Sequence, residues 1–147
     1  MAINTSKVVV GGLAAGVAMN VIGFLGNGVL LGQRMRNELE AAAPTLAGKG
    51  MSGTIIATQV IMQFVIGILL VWLYAAMRPR FGPGTKTAAF AALVIWICGF
   101  LFYLDWLFLG MMRPGTYAMV SILQFVSLMV GAWVGGMLYK ENDAAVA

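Results

Sequence analysis

Four long apolar runs dominate this sequence and limit what it can fold into. They cover about residues 8–31, 53–77, 87–110 and 116–139. At a rise of about 1.5 Å per residue, each run is long enough to cross a hydrocarbon core of about 30 Å as a helix. The sequence therefore predicts an all-α membrane protein, a bundle of four transmembrane helices that forms a single membrane domain over residues 1–147.

The composition also indicates that lipid is the solvent for much of the surface. Hydrophobic residues make up 61% of the chain and charged residues only 10%, whereas soluble domains are about 25% charged. The net charge is +4, but the nine basic residues stand in short groups at the ends of the apolar runs. That distribution is typical of topology signals, so we expect the lipid bilayer as a partner and no nucleic acid.

The basic residues also predict the orientation of the chain. Four spans place both termini on one side of the membrane, and that side carries Lys7, Arg78, Arg80, Lys86 and Lys140. The other side carries Arg34, Arg36, Lys49 and Arg113. Because the short loop between the second and third runs holds three positive charges and no acid, we expect both termini and the tail 140–147 in the cytoplasm. We expect lipid headgroups to contact Arg78, Arg80, Lys86 and Arg113.

The ends of the helices are marked by proline and glycine. The second helix is predicted to stop at Arg78-Pro79-Arg80, because proline cannot continue the hydrogen-bond ladder. Thr85 or Thr87 is then a candidate cap for the third helix.

A polar segment over residues 32–50 separates the first two runs and keeps a helical spacing of apolar residues. Two pairs of opposite charge stand four residues apart, Arg34 with Glu38 and Arg36 with Glu40. Two interpretations fit this pattern. The segment is either a short interfacial helix or a solvated extension of the first helix that breaks near Pro44.

Three of the runs carry small and polar residues on a single helix face. In the first run these are Gly12, Gly16, Asn20, Gly23 and Asn27; in the second they are Thr58, Gln59, Gln63 and Gly67; in the fourth they are Ser121, Gln124, Gly131 and Gly135. Glycine lets another helix approach closely, and an amide in hydrocarbon needs a hydrogen-bond partner. These faces predict either a packing seam or the wall of a polar cavity.

Asp105 is the only acidic residue within an apolar run, where an ionisable group is a functional candidate by default. We expect it to join an intramembrane polar cluster made of Asn20, Asn27, Thr58, Gln59, Gln63, Asp105, Ser121 and Gln124. The cluster would be a structural network in which Asp105 ties helices together or pairs with Arg113, or a site for a solute, ion or proton. The third possibility is that Asp105 simply faces interfacial water.

The residue types present argue against catalysis and against common cofactors. The chain has no histidine, the usual ligand for haem, chlorophyll-type pigments and many metals. Its one cysteine, Cys98, is expected to be a small buried hydrophobe. No nucleophile and base pair is visible. We therefore expect no enzyme activity, no metal and no cofactor.

Three segments resemble a widespread group of small, uncharacterised bacterial membrane proteins. They are the stretch from Val71 to Thr87, which contains LYAAMRPRFGPGTKT, the opening from Gly11-Gly12 to Leu31, and the end from Gly131-Ala132-Trp133 to Glu141. The resemblance implies a bacterial four-helix protein of the inner membrane and nothing catalytic.

Two functional hypotheses remain open from the sequence. In the first, the chain is a non-catalytic accessory subunit or interaction protein of a larger membrane assembly, or associates with itself. Its contact surfaces would be residues 32–50 and the glycine face of the first helix, so that Gly16→Leu would block assembly. In the alternative, an oligomer transports a small solute, an ion or a proton around the polar cluster near Asp105.

Overall fold

The computed structural model describes residues 3–46 and 52–140, and every regular element in these ranges is helical. The elements are α1 (Thr5–Gly23), a π-helix (Phe24–Leu30), α2 (Gly32–Ala42), a 3-10 turn (Pro44–Leu46), α3 (Gly53–Phe81), α4 (Thr85–Phe102), α5 (Leu104–Phe108) and α6 (Pro114–Leu138). The predicted orientation also used Lys49 and the tail beyond Lys140, and these residues lie outside the described ranges.

Four helical stretches in the described part of the chain are long and apolar enough to cross a membrane. They are Thr5–Leu30, Gly53–Phe81, Thr85–Phe108 and Pro114–Leu138, with 26, 29, 24 and 25 residues. For the described residues, the prediction of an all-α chain with four helices long and apolar enough to span a membrane is confirmed.

The helices pack as a four-membered bundle. Helix α1 packs against α3 and α6, and α4 packs against the same two helices from the other side. Helices α3 and α6 also contact each other, so they form the centre of the bundle. The start of α1, the end of α6 and the turn between α3 and α4 lie at one end, and α2 and the turn between α5 and α6 lie at the other.

Glycines bring α1 and α3 into backbone contact. A Cβ atom added to Gly67 would lie 2.8 Å from the backbone nitrogen of Gly16, and one added to Gly16 would lie 2.9 Å from the Cα of Phe64. Gly12 meets the backbone of Ile68 in the same way. Real Cβ atoms do not approach so closely, so this seam requires glycine at each of these positions.

A second glycine seam joins α1 to α6. A Cβ atom added to Gly11 would lie 2.7 Å from the carbonyl oxygen of Gly135, and one added to Gly131 would lie 2.8 Å from the Cγ of Met19. Met19 itself is fully buried between the two helices. The glycines at positions 12, 16, 67, 131 and 135 thus lie in tight helix contacts, whereas Gly23 has only the looser contact with Gln63.

The predicted end of the second helix is wrong by about one turn. Helix α3 runs through Pro79 to Phe81 and ends where Gly82 takes a positive φ of 78°. Proline removes the amide hydrogen of its own position and crowds the carbonyl four residues earlier, but it leaves the donors that follow it in place. The N–H of Gly82 still donates to the carbonyl of Arg78 over 2.8 Å, so the helix closes one turn later.

The predicted cap of the third helix is also wrong. Helix α4 begins after Gly84, and no side chain caps it. The hydroxyl of Thr87 instead donates to the carbonyl of Gly82 over 2.7 Å, so Thr87 stabilises the turn that ends α3.

Two of the spans are less regular than predicted. The last seven residues of the first span form the π-helix, in which the N–H of Leu31 donates to the carbonyl of Gly26. The third span breaks at Tyr103, between α4 and α5, and its following turn uses Gly110 with a positive φ of 71°. Cys98 is exposed on α4, so its prediction as a buried hydrophobe is wrong.

Candidate functional site

The predicted intramembrane polar residues take up separate places in the bundle. Asn20 lies at the contact between α1 and α3, where its Nδ2 donates to the carbonyl of Gly16 over 2.9 Å and to that of Val60 over 3.3 Å. The second bond joins the two helices. Asn20 is therefore part of the packing contact.

The polar residues of α3 divide between two faces. Gln63 is half-buried and faces α1, because its Nε2 lies 3.3 Å from the position of a Cβ added to Gly23. Thr58 and Gln59 are exposed on the outer surface. The hydroxyl of Thr58 donates to the carbonyl of Thr54 over 2.9 Å, whereas no hydrogen bond of the Gln59 amide is found among the described residues.

Two polar atoms of the expected cluster are buried and have no hydrogen-bond partner within the described part of the chain. They are the Oδ1 of Asn27, in the π-helix, and the Oγ of Ser121, in α6. The backbone carbonyl of Ser121 accepts a hydrogen bond of 2.9 Å from the indole nitrogen of Trp96, which joins α4 to α6. Gln124, one turn along α6, is half-buried.

The structure does not assemble the expected cluster around Asp105. This residue is exposed, and within residues 3–46 and 52–140 its carboxylate accepts one hydrogen bond, from the N–H of Trp106 over 2.9 Å. It forms no ion pair with Arg113 within 4.0 Å. Asp105 lies on the short helix α5, beyond the break at Tyr103, and among the described residues no hydrogen bond joins its side chain to another polar residue of the expected cluster. The interpretation in which it faces water or headgroups fits this position.

A different acidic residue joins two elements of the fold. The carboxylate of Glu38, in α2, accepts a hydrogen bond of 2.6 Å from the hydroxyl of Thr116 and one of 3.0 Å from the N–H of Arg113. Thr116 is fully buried, and the Glu38 side chain is only 10% exposed. We call this contact the Glu38 clamp.

The Glu38 clamp caps helix α6 from another helix. In a capping box, a carboxylate three residues after the N-cap reaches back to the N-cap amide. Here the N-cap is Arg113 and the residue three later is Thr116, which offers no carboxylate. Glu38 bonds both residues and also places a negative charge near the positive end of the helix dipole.

Arg34 extends the clamp along the start of α6. Its Nε donates to Glu38 over 3.3 Å, as the predicted pair four residues apart requires, and its Nη1 lies 3.8 Å from the sulfur of Met119. Its Nη2 lies 3.3 Å from the position of a Cβ added to Gly115, so the absent side chain leaves room for the guanidinium. The second predicted pair does not form, because Arg36 donates to Gln33 over 3.3 Å instead of contacting Glu40.

The surroundings of Glu38 lower the pKa of its carboxyl group below the usual value of 4.5. Desolvation raises the pKa and is the largest single influence. The hydrogen bonds from Thr116, from the N–H of Arg113 and from Arg34, together with the charge of Arg34, lower it by more. The clamp is thus built around the ionised carboxylate.

An open groove of about 730 Å³ lies beside the clamp. It separates α2 from the turn that connects α5 to α6, and its lining consists of Leu30, Gln33, Arg34, Asn37, Glu38, Ala41, Ala42, Gly110 and Arg113. We call it the α2 groove. It combines two guanidinium groups and two side-chain amides with small apolar residues.

At the opposite end of the bundle, the guanidinium group of Arg78 lies against two tyrosine rings. The guanidinium carbon of Arg78 is 5.7 Å from the ring centre of Tyr74 and 5.3 Å from that of Tyr139. The Tyr139 hydroxyl accepts a hydrogen bond from the N–H of Asn4 over 3.3 Å, which ties the start of the chain to the end of α6. Arg78 was predicted to contact headgroups, but it is half-buried against these rings, whereas Arg80, Lys86 and Arg113 are exposed.

The Glu38 clamp can be predicted only in part from the sequence. The pairing of Glu38 with Arg34 follows from their spacing, but the bonds to Thr116 and Arg113 cross more than 70 positions of sequence. The start of α6 has no acidic residue in its first turn, which is a sign that it needs a partner from elsewhere.

Comparisons with known proteins give no match: no protein-family model, no curated protein and no solved structure is similar to this chain. The resemblance to small bacterial membrane proteins therefore stays a prediction.

Proposed function

We propose that this chain is a non-catalytic protein of the bacterial inner membrane that acts by associating with other membrane chains, as a small accessory subunit. The observation that supports this proposal most directly is the exposed start of α3. Every residue from 53 to 62 is exposed, so the described chain leaves most of the surface of this part of a membrane-spanning helix uncovered, apart from the contact of Asn20 with the carbonyl of Val60.

The polar side chain on this surface favours a protein partner over lipid. Counting about 20 residues back from Arg78 places Gln59 just inside the hydrocarbon on the far side. An amide at that depth gains hydrogen bonds when another helix packs against it, worth about 1–2 kcal/mol in model peptides. Ile55 and Met62, four residues before and three residues after it, lie on the same helix face and add apolar surface that a partner helix would cover.

The proposed contact surface differs from the one expected from the sequence. The glycine face of α1 is already used inside the chain, because Gly12 and Gly16 contact Ile68 and Phe64 of α3. Gly16→Leu would therefore disturb the fold before it reached any partner. The surface left for association is the start of α3.

The orientation belongs to the same proposal. The end of the bundle that holds both termini also holds Lys7, Arg80 and Lys86 as exposed basic residues. By the positive-inside rule this end faces the cytoplasm, and α2 faces the periplasm.

The alternative of transport has less support. A transport path needs polar side chains that line one continuous route. Among the described residues, Gln59 and Asp105 are exposed on the outside, and Asn20 is engaged between two helices.

Native mass spectrometry of the tagged chain, extracted from its own host in mild detergent, tests the proposal. We expect a stoichiometric complex with other membrane chains, and we expect Gln59→Leu to reduce the bound fraction several-fold. Met62→Leu is the matched control, since it changes the same exposed surface and keeps every polar group. A chain that stays monomeric without partners, or a complex that Gln59→Leu leaves intact, would contradict the proposal.

A further inference from the structure

The α2 groove lies at the ends of three membrane-spanning helices. Leu30 ends the first span, Gly110 follows the third, and Arg113 precedes the fourth. A groove at this level faces the headgroups of the adjacent lipid leaflet. Leu30, where the groove meets the first span, is 73% exposed, so it can contact the first carbons of an acyl chain.

The polar groups in the groove are held in place and still have donors to offer. Bonds to Glu38 and Met119 fix the guanidinium of Arg34, which is 44% exposed and keeps its Nη2 beside Gly115. Asn37 accepts a hydrogen bond of 3.0 Å from Gln33, and this bond leaves the Nδ2 of Asn37 available. The side chain of Arg113 is exposed and forms no ion pair within the described residues.

The charges in the groove sum to about one positive charge. Arg34 and Arg113 contribute two, and the ionised Glu38 subtracts one. The Glu38 carboxylate points its oxygens at Thr116, at the N–H of Arg113 and at Arg34, so it is already satisfied. Guanidinium groups bind phosphate oxygens through charge-assisted hydrogen bonds.

We propose that the α2 groove binds the phosphodiester headgroup of an anionic phospholipid, with Arg34 and Arg113 on the phosphate and Asn37 beside it. The lipid fills the space between α2 and the α5–α6 turn. This binding site is separate from the start of α3, so it does not depend on the proposed association.

Titration of the delipidated protein with phosphatidylglycerol, followed by native mass spectrometry in detergent, tests this site. We expect one phosphatidylglycerol to bind at least about tenfold more tightly than a phosphatidylcholine with the same acyl chains. Arg34→Gln and Arg113→Gln should each weaken this binding about fivefold, as expected for one basic residue at a membrane surface. Lys7→Gln is the matched control, because it removes an exposed positive charge at the other end of the bundle and should leave binding unchanged.

Two further arms keep the test decisive. Ala41→Trp fills the groove from an exposed position of α2 without removing any charge, and it should weaken phosphatidylglycerol binding even if an arginine variant fails to fold. Inorganic phosphate at millimolar concentration should not displace the lipid. Displacement by inorganic phosphate would identify a soluble phosphate as the ligand and overturn the lipid assignment. Equal phosphatidylglycerol binding by the wild type, Arg113→Gln and Ala41→Trp would overturn the site itself.

Discussion

The two ends of this bundle are built in different ways. Near the termini, glycine seams bring α1 against α3 and α6, and Met19, Leu70 and Val71 are fully buried there. We call this end the tight half. At the other end Phe24 and Phe108 are 70% and 84% exposed, and the side chains of Glu38 and Arg34 hold α2 to α6. We call this end the open half.

The tight half supplies the close packing that stabilises the bundle, and the open half supplies the surfaces that can bind other molecules. In a membrane, apolar side chains gain little by leaving lipid, so close backbone packing supplies much of the attraction between helices. The tight half has that packing, and nothing of its seams is left for a partner. The open half offers an uncovered helix surface, the α2 groove and polar groups that can bind other molecules.

The largest loss of stability is expected when a single methyl group is added in the tight half. Gly67→Ala places a Cβ against the backbone of Gly12 and Gly16, which cannot move without separating α1 from α3. We expect a loss of about 3 kcal/mol in the free energy of unfolding, at the upper end for overpacking. The shift of the unfolding midpoint in a detergent titration measures it.

Gly99→Ala is the matched control for this comparison. It makes the same substitution in α4, where a Cβ would meet nothing within 4 Å. We expect it to be neutral or to stabilise by up to about 1 kcal/mol, because alanine favours the helix. Equal effects at the two positions would show that the tight half is not held by close glycine contact.

A smaller and more local effect is expected from Glu38→Ala in the open half. The change leaves the hydroxyl of Thr116 and the N–H of Arg113 without their acceptor, which costs about 1–3 kcal/mol. We expect α2 to detach while the bundle keeps its stability. Hydrogen exchange should therefore increase in α2 and at the start of α6 only.

Glu40→Ala controls for the loss of one negative charge from the same helix. Glu40 is exposed and has no ion pair in the part of the chain that the structure describes. If both variants speed up exchange equally, charge alone explains the effect and the Glu38 clamp has no special role.

The sequence was informative about local features and less so about contacts between distant segments. Apolar length predicted the four spans, and the spacing of Arg34 and Glu38 predicted their pair, because both signals lie within one helix. The same reasoning placed polar residues on shared faces but could not tell which face meets a neighbour. Gln59 and Gln63 stand one turn apart, yet only Gln63 faces α1. The break at Tyr103, two residues before Asp105, likewise has no marker such as proline.

A smaller loss of stability at the Glu38 clamp is expected when the pH is lowered. Because the folded pKa of Glu38 lies below its unfolded value near 4.5, the clamp contributes its full stabilisation above that value. The contribution is lost as the pH falls through the folded pKa, below about 4.5. Exchange in α2 of the wild type should therefore increase below that pH, and Glu38→Gln should lack this dependence. Constant protection of α2 down to pH 3 would contradict it.

The smallest effect is expected at the residue that the sequence singled out most strongly. Asp105 is exposed, and its described hydrogen bond goes to the N–H of the next residue, Trp106. Asp105→Asn keeps an acceptor for that bond, so we expect the unfolding midpoint of the isolated chain to change by less than the equivalent of about 0.5 kcal/mol.

The stability of the proposed complex with other membrane chains, measured with the same variant, tests whether a partner uses Asp105. A large loss of complex stability, with none in the isolated chain, would mean that a partner pairs with Asp105 and that the association surface extends from α3 to α5. A large loss in the isolated chain would mean that Asp105 supports the fold itself, as the Glu38 clamp and the hydrogen bond between Trp96 and Ser121 do.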